Sequence, residues 1–82
     1  MFGAVLASIL QSRDRRPAWL ANKISKEPST VARWIAGTSL PEVATLAQVR
    51  EALRADYVSE ADIGALDAAY LSGSREAGDA RL

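Results

Sequence analysis

The stretch WLANKISKEPSTVARWIAG, Trp19–Gly37, decides how this chain is read. It holds two short helical patterns around a tight polar break, Ser25-Lys26-Glu27. The first pattern opens at Pro17, a residue suited to the first helical position because it has no N–H to leave unpaired. Leu20, Ala21 and Ile24 then turn one side inward, which predicts a helix over about 17–24. The second opens at Pro28, sets Val31 and Trp34 on its inner side, and meets Gly37, a residue fitted to a left-handed cap. It predicts a helix over 28–36. Two short helices joined by about three residues make a candidate helix-turn-helix over 17–36.

The same reasoning extends in both directions. Phe2, Val5, Leu6, Ile9 and Leu10 recur at i, i+3, i+4, i+7 and i+8, the stripe of an amphipathic helix over about 2–13. The charged run Arg13-Asp14-Arg15-Arg16 ends it. Downstream, Pro41 launches a fourth helix over about 42–55, with Val43, Leu46, Val49 and Leu53 on its apolar side. Ser59 followed by Asp62 resembles a capping box. It opens a fifth helix over about 60–71, whose inner residues are Ile63, Leu66 and Tyr70. Ser72-Gly73 is expected to stop that helix. Residues 73–82 lack apolar periodicity and are expected to form a flexible tail or a linker. The fold expected is all-α: one compact five-helix domain over 1–72.

Composition agrees. At 82 residues the chain is one small domain, and 49% apolar residues, rich in Ala, Leu and Val, suit a helical core. There is no cysteine and no histidine. A disulfide framework, a Cys/His zinc site and a Ser-His-Asp triad are therefore excluded. No Gly-rich phosphate loop is present either, so an enzyme is not expected, nor a metal, a cofactor or an evident small-molecule site. The apolar run FGAVLASIL is too short to cross a bilayer, and its basic residues follow it rather than precede it. A cytoplasmic location is expected. The formal net charge is zero. Its distribution is uneven: residues 1–40 carry six Lys/Arg against two Asp/Glu, and residues 41–82 carry four against eight. A neutral domain of this kind can still present one basic face.

Leu20 to Leu53, LANKISKEPSTVARWIAGTSLPEVATLAQVREAL, resembles the Cro/repressor-type (XRE-like) helix-turn-helix family of phages and bacteria. The matching features are the Leu20-Ala21 pair, the small polar turn, STVARW in the third helix and the glycine closing it. Leu40-Pro41 and the spacing Val43, Leu46, Val49, Leu53 match as well. The resemblance implies a lambda-repressor-like DNA-binding domain with helix 28–36 as recognition helix. It also implies a homodimer on a pseudo-palindromic operator. The chain departs from the family's pattern at several points. Ser25 stands at a turn position often held by glycine. Pro17 removes an N–H that commonly meets a phosphate, leaving only later amides of that helix. Pro28 occupies a position that often reads bases. Many relatives carry an Arg–Glu pair between the first and third helices; the matching positions here are Leu10 and Ile35, so an apolar contact is expected to replace it.

On the third helix Ser29, Thr30 and Arg33 are left for the outer side, with Ser29 and Arg33 one turn apart. Arginine can bind guanine O6 and N7 bidentately, which makes Arg33 the chief candidate base reader and Ser29 and Thr30 its companions. Arg16, Lys26, Thr38 and Ser39 flank this face and are the candidate phosphate contacts. Glu27 would be repelled by phosphate unless it accepts from a cytosine amino group or turns away. Each of these residues also has a plain reading as solvated surface. Trp34 is expected in the core; Trp19 either packs partly or faces a partner. Two functions are carried forward. One is sequence-specific binding of double-stranded DNA by a transcriptional regulator, as a whole protein or as a fragment of a larger one. The other is a protein-interaction module on the same fold, with little or no DNA binding, using Trp19, Ile35 or the acidic half.

Overall fold

A computed structural model of the chain describes the backbone of residues 1–79 and the side chains of residues 1–73. Five helices follow one another: α1 (Phe2–Ser12), α2 (Pro17–Lys23), α3 (Pro28–Ala36), α4 (Val43–Ala55) and α5 (Glu60–Asp79). No strand occurs among the described residues. The radius of gyration, 12.1 Å, is close to the roughly 12 Å of a compact domain of this length.

The four connections share one chemical device. At the end of α1, α2, α3 and α4 the chain turns through a left-handed residue: Asp14 (φ 56°), Ser25 (φ 56°), Gly37 (φ 83°) and Tyr57 (φ 65°). Each is followed by an amide that bonds back five residues: Arg15 N–H to Leu10 C=O, Lys26 to Ala21, Thr38 to Arg33 and Val58 to Leu53, all at 2.8–3.0 Å. This is the Schellman pattern, which satisfies carbonyls that the helix end would otherwise orphan. Only one of the four turns has the glycine that makes the conformation free of strain.

The core is wholly apolar. Leu6, Leu20, Val31, Val49 and Leu66 have no exposed surface, and no polar or charged side chain is buried among the described residues. Trp34, the residue expected inside, is buried with them. α1 is the spine, packed against α3 on one side and α5 on the other, while α2 packs on α3 and α4 lies more loosely against α2 and α5. Gly3 explains how closely α1 approaches α3. A Cβ there would lie 2.3 Å from the Trp34 carbonyl oxygen and 2.5 Å from that of Ile35. Leu10 is buried and Ile35 half-buried, both in one apolar cluster, as expected for an apolar contact between α1 and α3.

Three expectations need correction. Val43 is 71% exposed rather than part of the α4 stripe. Periodicity fixes the angular phase of a helix but not how far its neighbours reach along it. Pro41 does not begin α4; Glu42 is its N-cap and Val43 its first residue. Pro41 is instead buried, with its carbonyl accepting the Tyr70 hydroxyl at 2.8 Å. Tyr70 in turn meets the edge of Phe2 at 5.8 Å between ring centroids. Third, α5 does not stop at Ser72-Gly73 but continues to Asp79. A serine and one glycine cost a helix only about 1 kcal/mol against alanine, and the Arg75-Glu76-Ala77 that follow are strong helix formers. The rest of the expected tail, residues 80–82, lies outside the described residues.

Candidate nucleic-acid interface

α3 is held by its inner side alone. Val31 and Trp34 are buried against α1 and α2, while Ser29, Ala32, Arg33 and Ala36 are exposed at i, i+3, i+4 and i+7. These four make one strip along the helix. Ser29 and Arg33 are therefore neighbours on one face. Thr30 is half-buried at the margin of the strip. The sequence reading overlooked Ala32 and Ala36, although the 3.6-residue period that sends Val31 and Trp34 inward also sends both outward. A methyl-surfaced strip with a single long cation allows a close approach to a flat or grooved partner.

The flanking residues divide between the two ends of α3. Lys26, exposed, lies in the turn before it, and Arg16, exposed, is the N-cap of α2. Thr38 and Ser39 are exposed past its C-terminal end, roughly 13 Å away along a nine-residue helix. Thr38 is partly committed, since its hydroxyl donates to the Arg33 carbonyl at 3.2 Å. Pro17 reduces the amides at the start of α2, and the Trp19 N–H is already bonded to the Arg16 carbonyl at 2.9 Å. Glu27 is exposed at the N-cap of α3 and makes no side-chain capping bond.

Charge pairing separates the cations into two groups. Arg15 grips Asp56 with two bonds, Nη2 to Oδ1 at 2.7 Å and Nε to Oδ2 at 3.2 Å, and Arg13 joins at 3.4 Å. The guanidinium bond from Arg15 holds the Asp56 carboxyl below the usual carboxylate range, aided by Arg13 and opposed by partial desolvation. Arg50 pairs with Asp67 at 3.2 Å, and Arg54 bridges Glu51 and Glu60 at 3.0 Å each. The acidic half is thus partly an ion-pair lattice rather than only a solvated face. Among the described residues, the side-chain cations without a carboxylate within 4 Å are Arg16, Lys23, Lys26 and Arg33, all between the N-cap of α2 and the last turn of α3.

Two further surfaces escaped sequence reading. A groove of about 590 Å³ runs between α2 and α4, with Trp19 and Lys23 on one wall and Ala47 and Ala52 on the other. On α5, Ala61, Gly64, Ala65, Ala68 and Leu71 are all exposed along one outward stripe. Comparison with known proteins yields no matching family model, no matching curated protein and no matching solved structure.

Proposed function

We propose that this chain binds double-stranded DNA in a sequence-specific way as the DNA-binding domain of a phage- or bacterial-type transcriptional regulator, with α3 entering the major groove. The observation that carries the reading is the segregation of charge. The arginines of α4 are consumed by carboxylates, whereas among the described residues Arg33 on the uncovered strip of α3, Lys26 in the turn before it and Arg16 at the N-cap of α2 have no carboxylate within 4 Å. A helix fits the major groove, and such cations supply the phosphate grip that positions it. Arg33 is the base reader in this reading, with Ser29 and Thr30 beside it. Ala32 offers a methyl for apolar contact with a thymine methyl. Arg16, Lys26, Thr38 and Ser39 serve the backbone.

Selection from a random duplex library tests this directly. The parent chain is expected to enrich one motif, and Arg33→Ala to weaken binding by about 1–3 kcal/mol while relaxing preference at one base pair. Lys26→Ala should weaken all sequences alike and lower the salt slope by about 1. Identical motifs and affinities for parent and Arg33→Ala would remove Arg33 from the reading. The interaction-module alternative is favoured by half-buried Trp19 at the rim of a groove, and it gains if no duplex is enriched.

A further inference from the structure

The groove between α2 and α4 exists for a specific reason. Trp19 and Ile24 project from the α2 side, and the apolar part of the opposite wall is three alanines, Ala47, Ala52 and Ala55. Methyls cannot fill the distance that an indole sets, so the two helices touch sparsely and a slot of about 590 Å³ stays open between them. That volume lies inside the range of small-molecule sites.

The indole wall is fixed in place. The Arg15 guanidinium stacks over the Trp19 ring at 4.8 Å and is itself clamped by its two bonds to Asp56. The charges lining the slot are unequal in what they still offer. Asp56 is neutralised by Arg13 and Arg15, and Glu51 is bonded to Arg54. Lys23 has no carboxylate within reach among the described residues; its ammonium only hovers 6.0 Å from the Trp19 ring. Gln48 adds an exposed amide at the rim. We propose that this slot is a binding site for a small aromatic monoanion, its flat ring lodged between the indole and the alanine methyls and its carboxylate met by Lys23. A flat body suits a slot with one planar and one methyl-surfaced wall. A single negative charge suits a lining whose one uncommitted ion is a cation. The site stands on its own lining, whether or not α3 meets DNA.

The test is a titration of the whole 82-residue chain with naphthoate, followed in proton–nitrogen correlation spectra without DNA. Neutral naphthalenemethanol and cationic naphthylmethylammonium run beside it. Naphthoate is expected to give saturable shifts at the Trp19 indole N–H and at the amides of Ala47 and Ala52, and to leave the Trp34 indole unmoved. Lys23→Gln should weaken naphthoate about five- to tenfold and leave the neutral alcohol unchanged, as expected for loss of one charge-assisted bond at a solvent-exposed position. Ala47→Leu fills the slot and should abolish binding of both, with an unshifted Trp34 resonance reporting an intact fold. The proposal is overturned by a silent Trp19 at millimolar naphthoate, by shifts at Trp34 instead, by equal affinity for the three probes, or by unchanged affinity in Ala47→Leu.

Discussion

Two residues show how backbone geometry, rather than side-chain chemistry, sets their worth. Gly3 is the point where α1 meets the last carbonyls of α3, too close for any Cβ. Gly3→Ala must push the two helices apart, because a main-chain oxygen cannot swing away as a side chain can. It is expected to cost about 2–3 kcal/mol, which for a domain of this size lowers the melting temperature by roughly 10 °C or more. Thermal melts of the two proteins check this. Tyr57 is the opposite case. It is 87% exposed, so its ring contributes little packing, yet its backbone is held at φ 65°. A left-handed conformation costs an ordinary L-residue about 1–2 kcal/mol and glycine almost nothing. Tyr57→Gly should therefore stabilise the fold by about 0.5–1 kcal/mol after the loss of unfolded-chain rigidity is subtracted. Urea titration would show the midpoint rising with an unchanged slope. A falling midpoint would mean that the ring holds something in place.

At the scale of elements, the Asp56 clamp joins parts of the chain that periodicity alone would not bring together. Asp56 closes α4, and Arg13 and Arg15 lie in the turn between α1 and α2. The folded state lowers the proton affinity of this carboxyl, chiefly through the Arg15 bond. The stabilisation is therefore fully present above the ordinary carboxylate value of about 3.9 and disappears as the pH falls through the lower folded value. Asp56→Asn should melt below the parent at neutral pH, and the gap should close in strong acid. A gap of constant size across that range would show that the ion pair is not its source. The clamp also orients Arg15 over Trp19, so the same substitution should loosen the wall of the α2–α4 slot.

For the whole molecule, the resemblance to Cro/repressor-type domains implies a second copy, since few base contacts on one short helix give weak binding. Two copies would set their α3 helices about 34–36 Å apart on successive major grooves. The outward stripe of Ala61, Gly64, Ala65, Ala68 and Leu71 on α5 is an apolar face on which a second copy can pack. Ala68→Glu is expected to leave the melting temperature nearly unchanged, since the side chain is exposed, and to convert a concentration-dependent dimer to a monomer in sedimentation equilibrium. A parent chain that sediments as a monomer at all concentrations would remove α5 as the pairing surface.

By itself the sequence determined the number and order of the helices and most of their inner faces, though not where α5 ends. Pro17 and Pro28 at first helical positions, Gly37 as a left-handed cap and the 3.6-residue apolar period are local signals, each satisfied within a turn or two of chain. The inward Trp34 and the outward Ser29 and Arg33 follow from that period. What only the tertiary structure decided depends on distances between residues far apart in the chain. Gly3 reads as a neutral small residue until the carbonyls of α3 arrive against it. Val43 keeps the phase of its stripe but finds no neighbour to cover it. The pairing of Arg13 and Arg15 with Asp56 spans more than forty residues. That pairing takes up two of the six cations of residues 1–40 and leaves Arg16, Lys23, Lys26 and Arg33 without a carboxylate partner among the described residues. The slot under Trp19 is likewise invisible to local pattern, because a gap between helices is set by the sum of side chains that meet across it, and no single segment contains both walls.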